Sequence, residues 1–409
     1  MKLFRLSLLA VAVIVIVSCK KTGPEYLPGG ETQIQQDLKT MLEQVLATYK
    51  QKFPAYPGGL AMQVISKRGS FFVSSGMGTG ISNQVHFRAA SNTKTFTSAA
   101  ILLLAQRGKL KIEAKITDTI PGTQMTYLPL TADYQVPFRD EITIWQLLHH
   151  RAGIFDISND KIPDTVSVQV PYKGMNYLEY IMLADRWHTF TFDELVSVVA
   201  TCRLYSFLPG TNYHYSNTGY SMLGKIIERV SGQTYQQFLT EQIVEPMGLG
   251  SSTFPYLGTD IQIPPPLAKG YIYTPDTIMN VTESNISANV AEGNLITTPE
   301  DLARFLHLLL RGEGVLLPYW INQVMLTPPP GSTPGGWYGC GIQYALNLGY
   351  GHGGSHAGYL SRMVSDPQTD FTAVIFTNAW NLCNENASIN EQQYFLLDEA
   401  CYRAKVIVQ

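Results

Sequence analysis

The sequence predicts an α+β fold: one antiparallel sheet built from both ends of the chain and flanked by helices, with a second, mainly helical lobe. Three observations carry this. Residues 61–66 and 71–75 are apolar-rich runs around Lys67, Arg68, Gly69 and Ser70, which reads as a hairpin. Residues 339–346, 358–365 and 371–377 are three more strand-like runs with short connections, and short connections favour antiparallel pairing. Between these groups, residues 116–266 are helical and irregular in pattern. Residues 31–115 and 285–409 are therefore expected to form an α/β lobe, and residues 116–284 a mainly helical lobe. Together they make one domain, with a site in the cleft between them.

Taken in order, the chain opens with Lys2 and Arg5, an apolar run over 6–17, then Ser18 and Cys19. A positive start, a short apolar run and a small residue before a cleavage point describe a secretory signal. The ending Ile16, Val17, Ser18, Cys19 resembles a bacterial lipobox, so residues 1–19 are expected to be a lipoprotein signal with Cys19 lipidated. Acyl chains would then hold the protein at a membrane. Residues 20–30 are polar with Gly and Pro and read as a tether. The expected location is the bacterial cell envelope, with the folded part outside the cytoplasm.

Ile34, Leu38, Met41, Leu42, Val45, Leu46 and Tyr49 recur at helical spacing. A second helix starts near Ser91, with Phe96, Ala99, Ala100, Leu103 and Leu104 as its apolar face and Gly108 as its stop. Residues 142–149, 192–199 and 220–230 are further helices, the last stopped by Ser231 and Gly232. Residues 299–310 form another, with Thr298 as N-cap and Gly312 beyond its end. Asp366, Pro367, Gln368, Thr369 and Asp370 supply a turn between the last two strands, and a final helix covers 390–404.

Of the 409 residues, 45% are hydrophobic and 15% charged, with a net charge of −3. No Lys/Arg block follows the signal, so nothing favours a nucleic-acid partner. Cys202, Cys340, Cys383 and Cys401 allow three disulfide connectivities, but a chain of this size needs none to hold a core. Buried free thiols are the simplest expectation. His352 and His356 have no acidic or cysteine partner at ligand spacing, so no metal is expected.

Three short motifs carry chemistry. Ser91, Asn92, Thr93 and Lys94 place a serine and a lysine on one face of a helical turn. A serine needs a base to become a nucleophile, and a lysine depressed by burial can be one. Tyr215, Ser216 and Asn217 follow Pro209 and Gly210. A tyrosine hydroxyl can relay a proton, and an asparagine amide can hold a substrate carbonyl and a lysine. His352, Gly353 and Gly354 stand at the start of a strand before Ser355, where bare backbone lets a substrate approach. Each motif alone describes an ordinary cap, turn or glycine-rich strand.

Together and in this order, the motifs resemble the signature of serine hydrolases of the class C β-lactamase and penicillin-binding-protein family. The resemblance extends to Trp145 through Ile154, to Pro209 and Gly210 through Leu223 to Glu228, and to Glu292, Gly293, Asn294 and Leu295 followed by Thr297 through Ala303. It covers about residues 35 to 405. It implies that Ser91 forms an acyl-enzyme and that Lys94 and Tyr215 share the general-base role. Asn217 would orient the substrate amide, and the backbone N–H groups of Ser91 and Ser355 would form the oxyanion hole. His352, Gly353, Gly354 and Ser355 would line the bound substrate. No metal or organic cofactor is implied, His150 is structural, and a monomer is expected.

The chain also departs from the family pattern. His352 stands where many relatives have lysine, and a neutral histidine is a weaker anchor for a carboxylate. Arg151 and Ala152 replace a small hydroxyl pair, and residues 157–187 form a longer connection. The leading expectation is hydrolysis of β-lactam or D-Ala-D-Ala-type amides. The alternatives are a carboxylesterase on the same fold and a slow-turnover penicillin-binding lipoprotein.

Overall fold

Alternating apolar residues on the outer runs decide how the sheet is covered. The computed structural model describes residues 32–383 and 388–409; the signal, the tether and Cys19 lie outside the described residues. The hairpin forms as strands β1 (Leu60–Ser66) and β2 (Gly69–Ser75). Five more strands follow: β3 (Gly336–Tyr338), β4 (Gln343–Ala345), β5 (Gly349–His356), β6 (Tyr359–Asp366) and β7 (Phe371–Thr377). They make one sheet in the order β2-β1-β7-β6-β5-β4-β3. Every neighbouring pair is antiparallel, and Leu60 opposite Thr377 joins the two ends of the chain.

Leu60, Met62 and Val64 of β1 face the terminal helices α1 (Gln33–Lys52) and, C-terminally, Ser388–Val408. Their partners there include Leu38, Leu42, Leu397 and Ala404. Each fully buried aliphatic side chain of this kind contributes about 1.5–3 kcal/mol. Ala61, Val374 and Phe376 point the other way, into the larger core. There lies α2 (Thr93–Gln106), buried from Thr93 to Ala105. A helix that is enclosed on every side belongs inside a domain. Phe96 of α2 stacks on Phe305, which belongs to the helix Pro299–Leu310. Thr298 caps that helix by accepting from the Asp301 N–H.

Three details differ from the sequence reading. Residues 339–346 are not one strand, because Gly341 adopts a φ of +64° and turns the chain onto α2. A Cβ at Gly341 would lie 2.1 Å from Ser98 Oγ, so only glycine fits. The sequence reading missed β5, whose four glycines hide an alternating pattern; His352–Gly354 sit inside it rather than at its start. In addition, Tyr271–Tyr273 and Ile278–Asn280, placed in the helical lobe by sequence, form strands: Tyr271–Tyr273 pairs with Ala379–Asn381 on one side and with Ile278–Asn280 on the other. Thr32–Gln409 packs as one compact unit. The cysteines Cys202, Cys340, Cys383 and Cys401 are free thiols.

Candidate active site

Ser91 is held by a turn that the chain fastens with side chains. The turn Ala90–Asn92 runs straight into α2. Ala90 has a φ of +49°, a conformation costly for a residue with a Cβ. Such strain persists where surrounding contacts enforce it. The Asn92 amide donates to Ala89 O at 2.7 Å and to Ser361 Oγ at 2.8 Å. Thr93 Oγ1 donates to Ala90 O at 2.7 Å and accepts from the Leu295 N–H at 3.0 Å.

Lys94 lies one turn on and is fully buried. Its Nζ is 3.2 Å from Ser91 Oγ, 2.8 Å from Glu292 O and 3.1 Å from Glu292 Oε2. Glu292 is 2% exposed, and its Oε1 accepts from the Asn289 amide at 2.6 Å. Burial lowers the Lys94 pKa, and the Glu292 carboxylate partly offsets this.

Tyr215 enters from the loop before the helix Asn217–Ser231, whose N-cap Ser216 accepts from the Gly219 N–H. The loop is fixed by His150: its Nδ1 accepts from the Ser216 N–H at 3.0 Å, its carbonyl accepts from the His214 N–H at 3.0 Å, and its ring packs 4.3 Å from that of Tyr215. Lys94 Nζ lies 4.7 Å from the Tyr215 ring centroid. Burial pushes the Tyr215 phenol well above its usual range, and the Ser91 hydroxyl facing it offsets part of the effect. Asn217 lines the cleft, and its Oδ1 is buried without a hydrogen-bond partner among the described residues. Lys94 is therefore held by Glu292 and not by Asn217. Behind this loop, burial raises Asp156 to about 6.

The fourth wall is β5. Strand β4 pairs with it only over Gly349–Gly351, so its edge from His352 onward is left open along the cleft. An open edge offers N–H and C=O groups to an extended substrate. Gly354 packs on the turn that carries Ser91, where a Cβ would lie 2.1 Å from Ala89 O. Gly353 faces Tyr394 and Arg362 instead. His352 is 2% exposed. Its Nδ1 donates to Gly353 O at 2.6 Å, which leaves Nε2 to accept from the Tyr338 hydroxyl at 3.0 Å. Burial, reinforced by the Lys94 charge, drops its pKa to about 3. It is a neutral imidazole with both nitrogens occupied.

These walls enclose a cleft of about 580 Å³ that also touches Glu292, Tyr394 and Asp398. Ser158, Asn159 and Leu178 of the long 157–187 connection form part of its rim. Ser91, Tyr215, Asn217, His352, Gly353 and Ser355 all line it, so the three motifs converge. Among the described residues no cluster of three or more metal-ligating side chains forms. Sequence reasoning gave Glu292, Tyr338, Arg362 and Asp398 no role. Glu292 lay within a segment singled out by resemblance, but its lysine is 198 residues away in sequence.

Residues 50–393 match the Beta-lactamase family model. Protein flp of Staphylococcus aureus is 28% identical over 228 residues, covering 54% of this chain and 38% of that protein. The chain thus spans about two fifths of the length of the curated relatives it matches. Among solved structures, a D-stereospecific amidohydrolase from Streptomyces sp. is similar with a TM-score of 0.67 and 25% identity, over 84% of this chain and 94% of that one. The D-amino acid amidase of Ochrobactrum anthropi SV3 complexed with D-phenylalanine gives a TM-score of 0.69 at 21% identity, over 92% and 99%. With its family model spanning most of the chain and its motifs gathered in one cleft, the protein belongs to the beta-lactamase family.

Proposed function

We propose that the protein is a serine hydrolase that cleaves small amides or esters through an acyl-enzyme at Ser91. The observation that carries this reading is the 3.2 Å contact between Lys94 Nζ and Ser91 Oγ, with the lysine buried and its pKa lowered. A lysine depressed in this way can take the serine proton. Ser91 Oγ then bonds to the substrate carbonyl carbon while backbone N–H groups of Ser91 and Ser355 hold the oxyanion. The carbonyl–nitrogen or carbonyl–oxygen bond breaks, and the leaving group takes a proton through Tyr215. That phenol stays protonated at neutral pH, which suits a relay better than a phenolate base. Water, deprotonated from the same side, releases the acid and regenerates Ser91.

β-Lactam or D-Ala-D-Ala-type amides, simple esters and D-amino acid amides all fit this chemistry, since fold and nucleophile are common to them. Turnover of a short-chain aryl ester, D-phenylalanine amide and a chromogenic cephalosporin separates these substrates. At least one is expected to turn over in the wild type and not in Ser91→Ala; equal turnover in that variant contradicts the reading. The lipobox-like Ser18 and Cys19 support anchorage at the cell envelope. Release of the protein from membranes on Cys19→Ser is the expected result, and retention contradicts it.

A further inference from the structure

Each charge in this cleft already has its answer. Lys94 is paired with Glu292. Arg362, from β6, lies opposite Gly353 in register, and its guanidinium Nε is 2.7 Å from Asp398 Oδ1. Its Nη1 donates to Gln343 Oε1 at 2.8 Å. The pair is only partly open to solvent, with side-chain exposures of 12% for Arg362 and 29% for Asp398. His352 is neutral, and so is His356, whose pKa burial lowers to about 4. Arg151 lines an adjoining depression rather than the cleft. Among the described residues lining the cleft, no cation is left without a carboxylate.

A carboxylate drawn into such a site loses water and gains no counter-ion, which is costly. It would also approach Asp398 and Glu292, and like charges repel. We propose that the cleft selects substrates whose reacting end carries no carboxylate, and that Asp398 enforces this by neutralising Arg362. The preferred class is then a neutral ester or amide, one that releases an alcohol, ammonia or an uncapped amine without an acid group. β-Lactams and peptides ending in a free D-alanine carry a carboxylate next to the reacting bond and fall outside it. Asp398 acts here as a specificity residue through Arg362, with no part in bond breaking.

This inference rests on the acyl-enzyme reading, and the test separates the two. Two aryl phenylacetates are compared, one with a meta carboxylate on the leaving phenol and one with a meta carboxamide, each rate divided by that for alkaline hydrolysis. The wild type is expected to favour the carboxamide by about tenfold or more in kcat/KM. Asp398→Asn, which frees the guanidinium, is expected to close the gap, and Arg362→Met to keep or widen it. Equal rates in the wild type overturn the inference without any variant; an unchanged gap in Asp398→Asn, or a closed gap in Arg362→Met, overturns the role given to the pair. Labelling by a fluorophosphonate that does not depend on Ser91 would instead bring down the acyl-enzyme reading itself.

Discussion

At Lys94 two influences oppose each other. Burial favours the neutral amine, and the Glu292 carboxylate favours the ammonium. Glu292 is itself held by Asn289, so both the place of the lysine and its proton affinity depend on residues 289–292. A base must be unprotonated to accept the serine proton, so activity rises with pH through the Lys94 pKa. Removing the carboxylate lowers that pKa further. Glu292→Gln is therefore expected to move the acid limb of the kcat/KM profile to lower pH. A limb that stays put or moves upward would show that Glu292 does not set the charge on Lys94. His352 illustrates the opposite case: the motif placed it on the substrate, while the fold occupies both its nitrogens with Tyr338 and Gly353 O. Residue type was visible in the sequence; the side-chain partners, Tyr338 for His352 and Glu292 for Lys94, lie 14 and 198 positions away.

At the scale of elements, β5 and the Ser91 turn are fitted to each other. Gly354 faces backbone, where a Cβ would meet Ala89 O at 2.1 Å. Gly353 faces the Tyr394 ring, at 2.9 Å, and the end of Arg362. Backbone cannot yield as a side chain can. Gly354→Ala should cost about 2 kcal/mol or more in stability and displace Ser91. Gly353→Ala should keep the fold and act on KM by filling the cleft. Chemical denaturation and ester kinetics on the two variants check this; equal stability losses would contradict it. The same strand shows where sequence patterning fails. Its glycines carry no hydrophobic signal, so only the motif was legible, whereas β1 and β7 are near-continuous apolar runs and Pro299–Leu310 keeps its helical period, so these were readable. The pairing of Tyr271–Tyr273 with Ala379–Asn381 is parallel and joins distant segments, and no local turn signal announces it.

Over the whole molecule, buried histidines tie stability to pH. His149 and His352 are 1% and 2% exposed, with pKa values brought by burial to about 4 and about 3 from a usual value near 6.5. His150 is lowered by burial as well. The unfolded chain takes up protons below pH 6.5 that these folded sites refuse, so stability is complete above that pH and falls toward pH 4. For His149 and His352 the loss is about 2 kcal/mol each at pH 5. Asp156, raised to about 6, works the other way and returns about 1 kcal/mol over the same window. The urea midpoint should therefore fall from pH 7 to pH 5, and a rise would contradict the buried neutral histidines. The two-ended sheet, the helical insertion and the convergence of Ser91, Lys94 and Tyr215 were all legible, because motif order and hydrophobic period are sequence properties. The charge balance of the cleft was not, since Arg362 meets Asp398 only after the last helix docks.

The claim on which the rest depends is that Ser91 is the nucleophile. Mass spectrometry of the protein after brief exposure to a fluorophosphonate measures this most directly, with the adduct mapped to a peptide. One adduct on the peptide containing Ser91 is expected, absent in Ser91→Ala and formed about a hundredfold more slowly in Lys94→Met. An adduct on another residue, or one that persists in Ser91→Ala, would contradict the account.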